Sequence, residues 1–559
     1  MFPSPGSVSA SPATQISFRG VSAARLGRIS VVGSRSGRHT GRVAAHSDGR
    51  GASFLPSRRF DPGERVTVRT DLRIRGARDG DFAVCIAEPV RVDAPLLGER
   101  TGEPGDTRRF VTRKDLSPPK LSVVVPAHRT APGYLFYAPK IGPGDNGPTI
   151  ADDRGEPVWL KPVAAPTEAT SFTVQRLHGK PVLTWWQGTV DTTGTGKGAE
   201  VIADSSYRTI ATIKGANGLR PDLHEFRLTP RGTALVTAYQ AVSADLRSVG
   251  GPRDGAVLDS VVQEIDIPTG LVLFEWHSVG NVPLTDAFND FDIKNMPGLP
   301  FDAFHANSID VLPDGDLLVS GRSTWTLYDI DHDTGRIVWR LGGRRPSFRI
   351  GPDAGTAWQH DARVQPDGTI TVFDNEAAPG HRARSRGIVL RVDPAARTVR
   401  LVEEYDPTSP SLLSANQGSL QALPNGDVLL GWGNHPWMTE LDRRGRTVFQ
   451  ARLPEFDQSY RVARSPWVGH PTGTPAVVAR RSGRSTAVYV SWNGATEVRR
   501  WQVLAGARPG RLHPVRSAAQ SGFETRVAVR GRPAYVAVRA LDRSGRALGT
   551  SRPVAARGG

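Results

Sequence analysis

A phrase of sequence recurs five times between about residues 130 and 475, and this repetition leaves few architectures open. Each copy is a strand-like run, a tight turn that ends in glycine, and a second apolar run, as in NSIDVLPDGDLLVSGR and HDARVQPDGTITVFDN. The turn glycines, at spacings of 53, 83, 53 and 58 residues, are Gly179, Gly232, Gly315, Gly368 and Gly426. Short alternating runs with a long, regular period are typical of a repeat protein built from β-strands.

A second hairpin with a polar turn follows each copy, for example TLYDIDHDTGRIVWRLGG and MTELDRRGRTVFQARL. Two hairpins make four antiparallel strands, which is one blade of a β-propeller. A sixth, partial copy begins with GYLFYAP and GPTIADDRGEPVWLKP, and the run SYRVARSPWV near residue 467 is available to complete it. We therefore predict a six-bladed propeller that is closed by strands from both of its ends.

The two flanks lack the repeat and indicate separate β modules. Residues 1–115 predict an immunoglobulin-like β-sandwich after a short unstructured start, and residues 116–475 hold the propeller. Residues 476–559 alternate apolar and polar side chains in runs such as FETRVAVRGRPAYVAVRAL, which is typical of a fibronectin type III module. Because helical periodicity is almost absent, the predicted fold class is all-β.

The formal net charge of +16 raises nucleic acid as a partner. The excess is almost all arginine, scattered through turns such as LDRRGRT, and no basic helix or RNA-binding motif accompanies it. We expect a diffuse basic surface with no nucleic-acid partner, one that steers anionic substrates towards the protein. A single cysteine excludes an intrachain disulfide and a cysteine-based zinc site.

Localisation leaves little trace in the sequence. No run approaches the roughly 20 apolar residues of a membrane helix, so membrane insertion is not expected. The first residues, MFPSPGSVSASPATQISFRG, show no basic segment followed by an apolar one, so no signal peptide is visible. The expected location is exported or at the cell surface, with the cytoplasm left open, and the oligomeric state is also open.

The repeats supply a coordinate system for candidate site residues. Eight residues before each turn glycine stand Ser171, His224, Asn307, His360 and Gly418, and seven residues after it stand Trp186, Tyr239, Arg322, Asn375 and Gly433. Equivalent positions of successive blades surround the central channel. His305 lies two residues before Asn307 and is expected on the same side of its strand. The predicted cluster is therefore His224, His305, Asn307, Arg322 and His360.

This set of side chains favours the binding and transfer of a tetrahedral anion. Arginine is a permanently charged, two-pronged oxyanion binder, and a histidine is a competent nucleophile near neutral pH. No carboxylate pair for glycoside hydrolysis accompanies the cluster, and a Ser-His-Asp arrangement is not evident. Histidines also bind metals, but the adjacent Arg322 repels a cation. We expect neither a metal nor a cofactor.

The segments DLHEF, FHANSIDVLPDGDLLVSGR and WQHDARVQPDGTITVFDN resemble the bacterial arylsulfotransferases, which move sulfate between phenols without the nucleotide donor PAPS. The resemblance spans roughly residues 130–470. It implies a six-bladed propeller with an N-terminal β-sandwich, an aryl sulfate donor and a phenolic acceptor. It also implies that His360 becomes sulfated, while His224, His305, Asn307 and Arg322 hold the sulfuryl oxygens.

The sequence departs from the best-known members of that family. It lacks their cysteine pair and a visible leader, and it carries the fibronectin-like module, so it resembles a divergent branch. Two other function classes stay open: a non-catalytic propeller that binds a protein or glycan, and a hydrolytic, sulfatase-like enzyme. Aromatic residues that either form a phenol entrance or pack between blades are Trp185, Trp186, Tyr239, Trp325, Trp358 and Trp432.

Overall fold

The computed structural model describes residues 1–77, 80–98, 102–103, 105–289, 298–377, 379–407 and 411–558. Within these ranges the protein is built from β-strands, and its only helical elements are three single turns of 3-10 helix at Ala23–Arg25, Arg247–Val249 and Leu284–Asp286. No helix among these residues has the length and apolar character to cross a membrane. The chain therefore has the predicted all-β character.

The first 85 residues form two antiparallel sheets. Their strands are β1 (Ile16–Arg19), β2 (Ile29–Gly33), β3 (Gly37–His39), β4 (Gly41–Ala45), β5 (Gly51–Pro56), β6 (Arg65–Thr70) and β7 (Asp81–Cys85). The strand orders are β1-β5-β4 and β3-β2-β6-β7. The two sheets share one apolar core that includes Phe18, Phe54 and Val68.

The start of the chain is ordered, so the prediction of a short unstructured start is wrong. Phe2 pairs with Ser17 through backbone hydrogen bonds. Its ring is buried and packs 4.6 Å from the ring of Phe274. Burial of the apolar Phe2 side chain against Phe274 stabilises the contact between this first segment and the repeated region.

The repeated region begins with four short strands, which are followed by two regular sheets of four strands each. Its strands are β8 (Ser122–Val125), β9 (Tyr134–Tyr137), β10 (Thr149–Ala151), β11 (Pro157–Leu160), β12 (Glu168–Leu177), β13 (Lys180–Val190), β14 (Gly196–Ala203), β15 (Thr209–Ile213), β16 (Pro221–Leu228), β17 (Ala234–Ala244), β18 (Gly255–Ile265) and β19 (Val272–His277).

The rest of this region holds fourteen strands. They are β20 (Ala306–Val311), β21 (Leu317–Gly321), β22 (Thr326–Ile330), β23 (Ile337–Gly342), β24 (Arg349–Ile350), β25 (His360–Val364), β26 (Thr369–Asp374), β27 (Arg386–Asp393), β28 (Thr398–Tyr405), β29 (Ser419–Ala422), β30 (Val428–Gly431), β31 (Trp437–Leu441), β32 (Thr447–Arg452) and β33 (Ala463–Ser465).

These strands make six sheets that follow one another along the chain. Five of these sheets contain four antiparallel strands in sequence order: β12–β15, β16–β19, β20–β23, β25–β28 and β29–β32. The sixth sheet has the strand order β11-β10-β9-β33. β24 and β8 add a fifth strand to two of them. First strands of successive sheets contact one another, from β12 to β16, β20, β25 and β29, and β33 contacts both β12 and β30.

The turn glycines join the first and second strands of the five regular sheets. All five adopt positive φ angles, from 78° at Gly179 to 99° at Gly315, a backbone region that side chains with a Cβ rarely enter. The predicted pairing between the two ends of the repeated region is also present, because β33 pairs with β9. The glycine phrase thus marks the first hairpin of each sheet.

The C-terminal segment forms two further sheets around a common core. Its strands are β34 (Ala476–Ser482), β35 (Ser485–Ser491), β36 (Arg500–Arg508), β37 (Arg511–Ala519), β38 (Glu524–Arg530), β39 (Tyr535–Leu541), β40 (Ala547–Thr550), β41 (Val554–Ala555) and β42 (Arg557–Gly558). The residues of β38 alternate between buried and exposed, as expected for a strand with one face on a core. That core includes Val488, Trp501 and Val538.

Candidate active site

The first strands of three sheets are irregular where they carry the predicted site residues. The register with the next strand shifts between Pro221 and Phe226 in β16, between Ala306 and Ser308 in β20, and between His360 and Arg363 in β25. A bulge of this kind redirects side chains that a regular strand would alternate between its faces. His224, Asn307 and His360 all lie within these irregular stretches.

His224 and His305 face each other through their ring nitrogens. The two Nε2 atoms are 3.0 Å apart, and the rings meet edge to face. Each Nδ1 atom faces a carboxylate: His305 contacts Asp302 at 2.5 Å, and His224 contacts Asp222. Burial, reinforced by His305, holds the pKa of His224 well below its usual range. The predicted pair of histidines is thus part of a series of four side chains.

The position of His305 does not come from simple strand alternation, as the sequence suggested. His305 precedes β20 and adopts a left-handed backbone conformation, with φ of 58°. Its carbonyl oxygen accepts the backbone N–H of Arg322 at 3.0 Å. This local turn, rather than a two-residue period, brings the imidazole to His224.

His360 is buried, and its hydrogen bonds define its tautomer. Nδ1 lies 2.7 Å from Asn375 Oδ1 and 3.1 Å from the carbonyl oxygen of Trp358, which are both acceptors. The amide nitrogen of Asn375 donates to the carbonyl oxygens of Ser414 and Gln417, so its oxygen must face the imidazole. Nδ1 therefore carries the hydrogen, and Nε2 carries the lone pair.

The surroundings of His360 also keep it uncharged. Burial lowers its pKa well below the usual range, and the positive charge of Arg322 lowers it further. The backbone N–H of Gln417 donates to Nε2 at 3.2 Å. A neutral imidazole with the lone pair on Nε2 is the form that acts as a nucleophile once this hydrogen bond is displaced.

Arg322 is a guanidinium without a carboxylate partner in the described part of the chain. Its Nη2 donates to the carbonyl oxygen of Ala415 at 3.1 Å, and its Cζ atom lies 4.8 Å from the centroid of the Trp358 ring. The Nε atom is buried and has no hydrogen-bond partner among the residues described. Burial lowers the pKa of Arg322. A cation held in this way is a site for an anion.

Asn307 is fully buried beside the imidazole of the nucleophile candidate. One hydrogen of its amide nitrogen goes to the carbonyl oxygen of Gln359 at 2.7 Å, the residue before His360. Its Oδ1 atom has no partner among the described residues. The structure thus brings all five predicted residues into one cluster of contacting or adjacent groups.

Four side chains of this cluster were not assigned from the sequence. Asp222 and Asp302 precede the predicted histidines by two and three residues, in DLHEF and DAFHANS. Asn375 occupies the second repeat position but had no assigned role. The ring of Tyr460 lies 5.5 Å from that of His224 and 6.3 Å from that of His360, and its hydroxyl has no hydrogen-bond partner in the described ranges.

A layer of paired charges lies directly beneath the histidines. Glu225 accepts from Arg461 at 3.1 Å and from Arg363 at 2.7 Å, and Asp361 contacts the same two arginines at 3.1 and 2.8 Å. Arg461 also donates to the carbonyl oxygen of Asn307 at 2.8 Å. Asp361 therefore orients arginines, and the imidazole of His360 is oriented by Asn375.

Removal of Arg461 from this layer is expected to destabilise the protein. Arg461→Met leaves two buried carboxylates to share one arginine, which costs about 3 kcal/mol on the scale of broken buried ion pairs. The measurement is the urea midpoint of unfolding. The control, Arg446→Met, removes an exposed arginine paired with Asp442 and should change the free energy by less than about 1 kcal/mol. Equal small effects of both variants would contradict this role.

The aromatic residues divide between the two roles that the sequence left open. Trp185, Trp186, Trp358 and Trp432 are buried, and the indole nitrogen of Trp186 donates to the carbonyl oxygen of Pro221 at 2.9 Å. Tyr239 lies in the histidine cluster, with its hydroxyl 2.6 Å from the carbonyl oxygen of Ala306. Trp325 is partly exposed and stacks on Phe288 at 3.8 Å.

The arrangement suits an oxyanion better than a metal ion. Among the described residues, no group of three His, Cys, Asp or Glu side chains is placed to hold a metal. The cluster instead combines a guanidinium without a carboxylate partner among these residues, a neutral imidazole with its lone pair on Nε2, and two further imidazoles backed by carboxylates. These are the groups required to bind a tetrahedral anion and to transfer part of it.

Comparisons with known proteins give a family and distant structural likenesses. No curated protein matches the chain. A protein of unknown function from Bacteroides caccae is 15% identical, with a TM-score of 0.35 over 59% of this chain and 98% of its own. One from Dyadobacter fermentans is 13% identical, with a TM-score of 0.32 over 67% and 98%.

A family model described as arylsulfotransferase (ASST) matches residues 173–453, which is half of the chain. The match includes the strands and turns that carry His224, His305, Asn307, Arg322 and His360. The chain belongs to the arylsulfotransferase family.

Proposed function

We propose that this protein transfers a sulfuryl group from a phenolic sulfate to a phenolic acceptor, without PAPS, through a sulfohistidine at His360. One observation carries the proposal: a buried, neutral imidazole lies beside a guanidinium that has no carboxylate partner among the described residues. Its Nε2 lone pair accepts a hydrogen bond of 3.2 Å from the backbone N–H of Gln417, which the substrate must displace. A sulfate ester supplies the missing anion, and its sulfur is the electrophile that the lone pair requires.

The proposed scaffold is a six-bladed propeller with its channel between the first strands of the six sheets. It is supported by the serial contacts from β12 to β29 and by β33, which contacts strands of the first and last regular sheets. The proposed domains are 1–115, 116–475 and 476–559. The likeness of the last one to fibronectin type III modules stays a prediction.

In the first step, Nε2 of His360 attacks the sulfur of the aryl sulfate. The N–S bond forms as the S–O bond to the phenol breaks, and the electron pair of that bond leaves with the phenolate oxygen. Nδ1 keeps its hydrogen, because Asn375 Oδ1 and the carbonyl oxygen of Trp358 accept it. One of the remaining imidazoles, as its cation, protonates the departing oxygen.

In the second step, an acceptor phenol takes the place of the first product. It gives its proton to the imidazole, its oxygen attacks sulfur, and the N–S bond breaks to restore the lone pair of His360. The first half-reaction gives the sulfated protein that the second one consumes, and the second restores the free His360 that the first one needs. Ping-pong kinetics are therefore expected.

The nonbridging oxygens of the sulfuryl group need donors in both steps. Arg322 offers its unpartnered Nε–H, and Asn307 retains one amide hydrogen beyond the one given to Gln359. The predicted role of His224 and His305 changes here: their Nε2 atoms face each other at 3.0 Å, and we assign this pair to the departing oxygen rather than to the nonbridging ones. Donors fixed before the reaction stabilise the charge that these oxygens carry in the transition state.

The intact mass of the protein after mixing with 4-nitrophenyl sulfate tests the reaction class. The expected result is one sulfuryl adduct per chain, located on His360 by peptide mapping, which disappears when phenol is added. A non-catalytic propeller gives no adduct. A sulfatase releases phenol without an acceptor and gives no product of transfer, so either result would overturn the proposal.

The tautomer of His360 makes a further expectation testable. Asn375→Asp places a buried carboxylate on Nδ1, and this opposite charge raises the pKa of His360. Because only the neutral imidazole attacks, the acid limb of the pH profile of kcat/KM should move to higher pH. Asn425→Asp, on an exposed turn, is the matched control and should leave the profile in place. An unshifted limb in Asn375→Asp would argue against this orientation.

A further inference from the structure

We propose that Asp222, His224, His305 and Asp302 form a relay that stores one proton for the reaction and delivers it from His305 to the departing phenolate. The inference rests on the proposed sulfuryl transfer and assigns its acid and base. In it Asp222 and Asp302 are positioning residues, because each acts through the imidazole that it contacts.

The hydrogen bonds themselves fix the number of protons. Three contacts join the four side chains in series: Asp222 to His224, His224 to His305, and His305 to Asp302. Each contact needs one hydrogen, so the series holds three. Two neutral imidazoles and two carboxylates supply only two. The third is the proton that lies between the two Nε2 atoms, which are 3.0 Å apart.

The surroundings indicate which imidazole carries this extra proton. His224 is the more deeply buried, and its pKa is lowered by burial and by His305. His305 is 9% exposed. Burial opposes ionisation of Asp302, yet the contact with His305 lowers the pKa of that carboxyl overall. We therefore assign the extra hydrogen to His305, the imidazole nearer to solvent, with Nδ1–H facing Asp302 and Nε2–H facing His224.

Other charged and titratable groups face this series from the neighbouring strands. Tyr239 and Tyr460 pack against the histidine rings, and burial together with the charges of Glu225 and Asp222 raises the pKa of Glu200. Burial raises the pKa of Asp222 to about 7. Arg322 and Arg461 lie on the side of His360 and of the charged layer.

The chemical step balances in both directions. As the S–O bond of the donor breaks, Nε2–H of His305 turns from His224 to the phenolate oxygen and the product leaves as a neutral phenol. His305 and His224 are then both neutral. When the acceptor phenol attacks the sulfohistidine, it returns one proton to His305, and the series is restored.

The test compares two donors in Asp302→Asn, which keeps the shape of the side chain and removes its charge. Phenyl sulfate has a poor leaving group that needs the acid, whereas 4-nitrophenyl sulfate leaves as a stable anion. We expect kcat/KM to fall about 100-fold for phenyl sulfate and less than about tenfold for 4-nitrophenyl sulfate. The basic limb of the pH profile should move to lower pH, because the relay holds its proton less tightly.

Two further variants make the outcome decisive. Asp222→Asn should also lower kcat/KM much more for phenyl sulfate than for 4-nitrophenyl sulfate. It takes the place of Asp302→Asn if that variant does not fold. Asp310→Asn removes a buried carboxylate from β20 outside the series, where it pairs with Arg227, and should affect both donors equally. Wild-type protein forming the adduct with 4-nitrophenyl sulfate shows that the transfer stands. If kcat/KM of the relay variants then falls equally for the two donors, the relay is wrong. If wild-type protein forms no adduct, both proposals fall.

Discussion

His360→Ala is expected to abolish the sulfuryl adduct and the transfer between two phenols together. Loss of a catalytic nucleophile lowers turnover by about 10⁴-fold or more, because binding groups alone provide no covalent intermediate. The measurements are intact mass after mixing with 4-nitrophenyl sulfate and the rate of phenol sulfation.

The matched control for this variant is His513→Ala. His513 is exposed on β37 in the C-terminal sheets, and its removal should leave both measurements unchanged. Thermal unfolding of the two variants shows whether His360→Ala retains its fold. Transfer at a near-native rate in folded His360→Ala would require another nucleophile.

Arg322→Ala is expected to retain the nucleophile and lose much of the transition-state binding. The loss of one oxyanion donor costs roughly 2–4 kcal/mol, which corresponds to a fall in kcat/KM of about 30- to 1000-fold. The variant also removes a positive charge that lowers the pKa of His360. That pKa should therefore rise, and the acid limb of the rate profile should move to higher pH.

The adduct at His360 should still form in Arg322→Ala, only more slowly, and single-turnover mass measurements distinguish this from loss of the nucleophile. Arg322→Lys restores the charge without the planar fork and should recover the pH profile more fully than the rate. If Arg322→Ala reacts as fast as the wild type, the guanidinium does not hold the sulfuryl oxygens.

The glycine phrase was enough to locate the hairpins of the repeated sheets, because the positive φ of Gly179 or Gly368 is a local requirement of the turn. Pairing of β33 with β9 was also predictable, since an incomplete repeat at one end needs a strand from the other. The extra strands β8 and β24 were not predicted. Their pairing depends on which sheet edge the connecting segment passes, and no local pattern records that.

Counting back from the turn glycines predicted that His224, Asn307 and His360 lie together, because equivalent positions of successive sheets meet on their first strands. It did not identify Asp222 and Asp302 as partners, since the bulge in β16 and the left-handed turn at His305 decide where these side chains point. Tyr460 lies on the closing segment outside the five full copies. Its place beside two histidines depends on the assembled sheets and has no signal in the repeat.

The pairing of β33 with β9 has a consequence for the order in which a newly made chain becomes active. The strands that enclose the histidines are synthesised from residue 134 onwards, but Tyr460, Arg461 and β33 are translated last among them. Contacts between such distant segments form late, because closure of a long loop costs entropy before it gains any contact. A nascent or prematurely terminated chain that ends before residue 460 lacks the pairing of β33 with β9 and part of the site. Catalytic activity therefore requires completed folding of the whole repeated region.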